Sequence, residues 1–193
     1  MDRAIKTQNG FISTKELLKQ GIHQRDIKSG KEQNTIVRIK RGCYRASDVP
    51  VISYQGFADL TYAVPEGVVC LLSALSYYEL TTFNPSVISM AICRGVRQPK
   101  IEYPPVKFYH FSSKQFKAGI DEIKTGKYKI KIYCPEKTIC DCFRYRNKLG
   151  IDMAKEGLDE YLKRKNRDLE KLLYYAEICR VKPLMRTWLE AMV

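Results

Sequence analysis

Gly10-Phe11-Ile12-Ser13-Thr14-Lys15-Glu16-Leu17-Leu18-Lys19-Gln20-Gly21-Ile22-His23-Gln24-Arg25-Asp26-Ile27, continued by Ile36-Val37-Arg38-Ile39-Lys40-Arg41-Gly42-Cys43-Tyr44-Arg45, reads as helix, glycine turn, helix and a small β-wing tipped with cations. Ser13 and Glu16 have the spacing of a capping box, and Ile12 with Leu17 fits the hydrophobic staple around it. Gly21 takes the left-handed position that closes a helix without steric cost, so a second helix starts within about two residues. That is the spacing of a helix-turn-helix. The second helix is expected from about Gln24 to Gly30, with His23 a poorer cap than Ser or Thr.

Phe11, Leu17, Leu18, Ile22 and Ile27 are expected to form a mini-core, leaving Gln24, Arg25 and Lys28 on the outer face of the second helix. Side chains of this kind reach base edges and phosphates. Residues 35–39 alternate like a strand, Lys40-Arg41-Gly42 has turn character, and Cys43-Tyr44-Arg45 returns. Arg38, Lys40 and Arg41 then lie where a wing meets the phosphate backbone or the minor groove. Thr14 and Lys15, at the start of the first helix, complete the candidate DNA-contacting set.

Charge supports this reading over a merely solvated surface. Residues 1–45 carry eleven Lys and Arg against four Asp and Glu, out of 34 and 21 in the chain, so more than half of the +13 net charge falls in less than a quarter of the 193 residues. A cationic excess concentrated in this way is the footprint of a nucleic-acid partner.

The length suits a small domain joined to one of ordinary size. The expected division is a winged helix-turn-helix over residues 1–48 and a larger domain over 54–193, linked through a Pro-containing boundary near 46–53. The segment ahead of Phe11 is short for a further helix. The N-terminus has no apolar leader core and no run is long enough to span a bilayer, so the expected compartment is the cytoplasm, with no membrane association. Seven cysteines at irregular spacing suit a reducing compartment and free thiols.

Beyond the boundary, Tyr54 to Ala63 reads as a helix, Gly67 to Cys70 as a short strand, and Leu71 to Leu80 as a helix with Leu72, Leu75 and Tyr78 on one face. Strand patterns follow at 87–92, 106–111, 120–123 and 129–133, the last two paired across a turn at 124–127. After Pro135 helical segments are expected near 135–146, 151–164, 167–179 and 183–192. Strands followed by helices imply a mixed α+β fold, with a small sheet and several helices after the winged helix.

Phe11 to Tyr44, together with Gly67 to Leu80, Pro135-Glu136-Lys137-Thr138-Ile139-Cys140-Asp141 through Arg146, and the closing Leu169 to Ala176, resembles the AbiEi-type antitoxin family of type IV toxin-antitoxin and abortive-infection systems. The resemblance covers nearly the whole chain and lies in the order and spacing of the motifs. It implies an N-terminal winged helix-turn-helix, an autorepressor of its own operon, and a C-terminal domain that counteracts a nucleotidyltransferase-like toxin without forming a stable complex. Carried over by position, Gln24, Arg25 and Lys28 match the recognition helix, and Arg38, Lys40 and Arg41 the wing. His23 stands where such sequences often carry a small polar cap.

Other clusters invite chemistry less well. Glu136, Asp141, Arg144 and Arg146 fall along one expected helix, but carboxylates five residues apart diverge and no nucleophile motif accompanies them. A structural polar network is the favoured reading, ahead of a toxin-related or nucleic-acid surface and of catalysis. Cys140 and Cys142 diverge by about 200° on a helix, and neither they nor Cys134 has ligand spacing to His23 or His110, so no metal or other cofactor is expected. Arg94, Arg97 and Lys100 lie on a basic loop after a strand, and 163–167 is a basic link between helices. Arg94, Arg97, Lys100, Arg144 and Arg146 are the candidate functional surface of the C-terminal domain. The leading expectation is a non-enzymatic antitoxin and repressor whose partners are double-stranded operator DNA and a toxin. The alternatives are a stand-alone winged-helix regulator and, third, a nucleic-acid-processing enzyme.

Overall fold

The computed structural model describes residues 10–48, 53–125 and 128–192. Expectations for 1–9, for the linker positions 49–52 and for the turn positions 126 and 127 fall outside the described residues.

The chain opens with β1 (Phe11–Ser13), α1 (Thr14–Lys19), α2 (Gln24–Glu32), β2 (Ile36–Lys40) and β3 (Cys43–Ala46). Three antiparallel strands in the order β1-β3-β2 form the wing sheet, with a bulge between Arg38 and Lys40. Ile12, Leu17, Ile27, Ile36 and Tyr44 make the small core, with Ile22 packed on it. Two expected members are absent. Leu18 is 45% exposed, and Phe11 faces the other way, because adjacent strand residues point to opposite sides of a sheet. Its ring stacks on Tyr62 at 4.3 Å and meets Tyr128 edge-on at 5.4 Å. The second helix also runs past Gly30 to Glu32, ending before Asn34 at φ 54°.

The rest of the chain comprises α3 (Gln55–Ala63), β4 (Val68–Val69), α4 (Leu71–Tyr77), β5 (Ile88–Cys93), β6 (Val106–Phe111), α5 (Ser113–Lys117), β7 (Ile120–Thr125) and β8 (Tyr128–Tyr133). Helices α6 (Pro135–Arg144), α7 (Arg146–Leu149), α8 (Ile151–Leu162), α9 (Leu169–Ile178) and α10 (Lys182–Met192) complete it. The five-stranded sheet has the order β6-β5-β4-β8-β7; β4 pairs antiparallel with β5 and parallel with β8. The fold is mixed α+β, as the alternation of patterns implied. Helix α4 stops at Tyr77 rather than Leu80, and the segment expected as one helix over 135–146 divides at Tyr145. The short α5 carries no strong pattern and was not anticipated.

Period-2 alternation gives the sheet two buried faces. Val68, Ala91, Tyr109, Phe111 and Tyr133 join the core beneath α4, α6, α8 and α9. Val69, Met90, Ile92, Ile130 and Ile132 turn to the opposite core, which holds α3 residues Phe57 and Leu60 together with Phe11, Ile39 and Cys43 from the wing sheet. The winged helix therefore shares a core with the larger sheet through three side chains of its own strands.

Candidate nucleic-acid interface

The N-terminus of α1 is fixed by the anticipated box. Glu16 N–H donates to Ser13 Oγ at 3.2 Å, and Ser13 N–H donates to the Glu16 carboxylate at 2.7 Å. The Ser13 hydroxyl and backbone hold the Glu16 carboxyl below the usual carboxylate range. Thr14 N–H donates to the Gly42 carbonyl at 3.1 Å, which ties α1 to the wing turn. Gly21 adopts φ 76°, and Ile22 N–H returns to Leu17 O at 3.0 Å. At α2 only the carboxylate half of a box supports the cap: His23 N–H donates to Asp26 at 3.0 Å.

With Ile27 buried in the small core, α2 presents Gln24, Arg25 and Lys28 to solvent. Lys31 is exposed as well, three residues beyond Lys28 and seven beyond Gln24, hence on the same face. Sequence reasoning missed it by ending the helix at Gly30. Lys15 on α1 and Arg41 at the wing tip are exposed, while Thr14 is half-buried against the wing. Among the described residues, Lys15, Lys19, Arg25, Lys28, Lys31 and Arg41 enter no ion pair. Six exposed cations outside any ion pair leave this part of the surface positive, with the Glu16 carboxylate acting electrostatically on Lys19.

The other two wing cations are engaged by segments that follow the winged helix. Lys40 Nζ donates to Ala63 O at the end of α3. Arg38 Nε lies 3.2 Å from Glu102 Oε1. The loop bearing Glu102 docks on β2, with Glu102 N–H donating to Ile39 O at 2.7 Å.

The C-terminal candidates divide. Arg94 and Arg144, distant in sequence, both act electrostatically on the Tyr145 hydroxyl, which burial first and Asp141 second push up to about 12. Arg144 is exposed, with Nη1 donating to Cys179 O at 3.1 Å, and Arg146 donates to Phe143 O at 3.0 Å. Arg97 and Lys100 are exposed on the loop that crosses from β5 back to β6. In the basic link at 163–167, Arg164 donates to Tyr78 O and Lys163 pairs with Asp159 and Glu160 at 2.8 Å each.

Glu136 and Asp141 keep separate partners. Tyr161 donates to Glu136 at 2.8 Å and Lys171 pairs with it at 3.1 Å. Asp141 pairs with Lys137, with side-chain exposures of 1% and 0%, and accepts the Cys179 thiol at 3.2 Å. Lys137 Nζ also lies over the rings of Tyr133 and Phe111, at 4.3 and 4.9 Å. Asp141 is thus engaged by buried partners, and Glu136 by the buried Tyr161 hydroxyl and the partly exposed Lys171. Among the described residues, no group of three or more His, Cys, Asp or Glu gathers to hold a metal ion, and no helix is long and apolar enough to cross a membrane.

No protein-family model matches the chain, and no curated protein matches it. Among solved structures it is similar to the crystal structure of RV2827C protein from Mycobacterium tuberculosis, with a TM-score of 0.51 over 93% of this chain and 75% of that one. At 10% identity this is a likeness of fold.

Proposed function

We propose that this protein is a DNA-binding antitoxin of the AbiEi-like, type IV kind, which represses its own operon through α2 and opposes a nucleotidyltransferase-like toxin. One observation carries the DNA half: Gln24, Arg25, Lys28 and Lys31 are all exposed on a helix anchored in the small core by Ile27, and among the described residues no carboxylate pairs with its three cations. Such a helix neutralises phosphates and brings bidentate donors to base edges. Lys15 on α1 and Arg41 at the wing tip are exposed as well, and the Thr14 to Gly42 hydrogen bond holds the two elements that carry them together.

The antitoxin half rests on the resemblance at Phe11 to Tyr44, Gly67 to Leu80 and Pro135 to Arg146. Arg94 and Arg144 around Tyr145, with Arg97, Lys100 and Arg146 on adjoining segments, form the surface proposed for it. No chemical step is assigned, and the compartment proposed is the cytoplasm.

A salt-titrated binding assay compares the DNA upstream of the protein's own reading frame with a scrambled duplex. Preference for the upstream DNA that disappears in an Arg25→Ala/Lys28→Ala variant is expected; equal binding of both duplexes overturns operator recognition. Co-expression with the product of an adjacent nucleotidyltransferase reading frame tests the second half. Growth rescue without co-purification is expected, and absence of rescue leaves a regulator alone.

A further inference from the structure

We infer that Glu102, a carboxylate of the C-terminal half, is an intramolecular competitor of DNA phosphate for the wing residue Arg38. The inference rests on the DNA-binding reading of α2 and goes beyond it, by naming what sets the wing's share of the interface.

Register places Arg38 on the right side of the wing sheet. Arg38 lies directly opposite Tyr44 on β3, and Tyr44 belongs to the small core on which α1 and α2 pack. Side chains of directly paired residues share a face. Arg38 is therefore on the α2 side, at the outer edge, since β2 is the terminal strand of its sheet. Lys40 pairs with Cys43, which faces the opposite core, and its ammonium is turned to Ala63 O. Of the two engaged wing cations, Arg38 alone lies on the face of the wing sheet that carries α1 and α2.

The contact that holds it is of an exchangeable kind. The two side chains are 27% and 48% exposed, and Nε approaches Glu102 Oε1 at 3.2 Å. That Nε is nevertheless shut off from solvent and makes no well-directed hydrogen bond among the described residues. An ion pair on partly exposed side chains that leaves its buried donor without a directed hydrogen bond is weaker than a well-aligned one. A phosphate offers the same guanidinium a shorter, bidentate partner. Glu102 itself is held in place by backbone, because Glu102 N–H and Tyr103 N–H both donate to Ile39 O, at 2.7 and 3.2 Å. The carboxylate is thus fixed beside the wing independently of the ion pair, and it subtracts from the positive face that the duplex meets.

The test is a salt titration of DNA binding by the full chain and by Glu102→Gln, Arg38→Ala and the double variant. The backbone bonds to Ile39 O do not involve the Glu102 side chain, so Glu102→Gln is expected to keep the native thermal transition. Releasing Arg38 to one more phosphate steepens the slope of log K against log salt by about 0.9, which is about eightfold tighter binding at about 0.1 M salt. Arg38→Ala alone is expected to leave the slope unchanged, and to abolish the gain when combined with Glu102→Gln. If the unaltered protein binds while Glu102→Gln shows the same slope and affinity, or if the double variant keeps the gain, the competition is overturned. Failure of the unaltered protein to bind any duplex overturns the DNA-binding reading itself, and this inference with it.

Discussion

Arg45 on β3 and Asp59 on α3 form a buried ion pair between the wing sheet and the first helix of the larger half. Arg45 Nε lies 3.0 Å from Asp59 Oδ1 and 3.2 Å from Oδ2, and Gln55 Nε2 donates to Oδ1 at 2.8 Å. Burial raises the Asp59 carboxyl above its usual value, against the opposing pull of Gln55 and Arg45. Arg45 is 8% exposed and Asp59 0%, so neither charge has water to fall back on. Asp59→Ala is expected to cost about 3–5 kcal/mol in urea unfolding, because it strands the guanidinium, whereas Arg45→Met combined with Asp59→Leu recovers most of that loss. A mild Asp59→Ala would mean that the guanidinium finds another partner.

Phe11 makes a second link across the same boundary, between the rings of Tyr62 and Tyr128. Phe11→Ala is expected to destabilise by about 3–5 kcal/mol. With Phe11, Ile39 and Cys43 sharing a core with Met90 and Ile130, the winged helix and the larger half are expected to melt in one transition. Calorimetry resolving two transitions would contradict this.

Cations of the candidate interface are expected to fall into three classes. Arg25→Ala and Lys28→Ala each weaken upstream DNA by about 1–3 kcal/mol where a base contact is lost. Lys15→Ala and Arg41→Ala weaken all DNA alike and reduce the salt slope by about 0.9 each. Lys40→Ala lowers thermal stability and leaves the slope alone, since its ammonium serves the carbonyl of Ala63. Parallel salt titrations and melts of the five variants separate the classes.

Thiol chemistry should report burial directly. Cys93 is partly exposed, whereas the other six cysteines are buried. Burial pushes the thiols of Cys43 and Cys134 up to about 11, and those of Cys70, Cys140 and Cys142 well above the usual range. A thiol reagent near pH 8 is expected to find one rapidly reacting cysteine in the native protein and all seven after denaturation. Peptide mapping should place the rapid label on Cys93.

Glu16 gives the α1 cap a defined acid dependence. Its carboxyl titrates lower folded than unfolded, the Ser13 hydroxyl hydrogen bond being the first cause. The stabilisation is therefore present above the unfolded value of 4.5 and is lost as pH falls through the lower folded value. Glu16→Gln should remove this part of the acid dependence, measured as Tm against pH between about 2 and 6. Ser13→Ala should cost about 1 kcal/mol at neutral pH.

Local chemistry in the chain was enough to specify the winged-helix element order and most of the larger half. The Ser13 and Glu16 box, the turn at Gly21, the short strand ahead of Leu71 and the helices after Pro135 depend on spacing, capping and backbone preference over a few residues, and each formed within a residue or a few of its expected place. The exposed face of α2 followed from the same periodicity. Lys31 lies beyond the end that Gly30, a weak helix former, implies; the helix continues to Glu32, and the Gly30 carbonyl accepts from Thr35 N–H at 2.9 Å.

What only the tertiary structure decided is which of these side chains remain free. Arg38 and Arg41 look alike in sequence, yet one meets Glu102 some sixty residues on and the other meets solvent. Phe11 and Leu18 are both apolar, yet the first is buried between two tyrosines and the second is exposed. Arg94 and Arg144 share an influence on Tyr145 across about fifty residues of chain. Periodicity records the face on which a residue lies; the partner on that face is supplied by a distant segment brought there by burial of the sheet, and no local pattern encodes it.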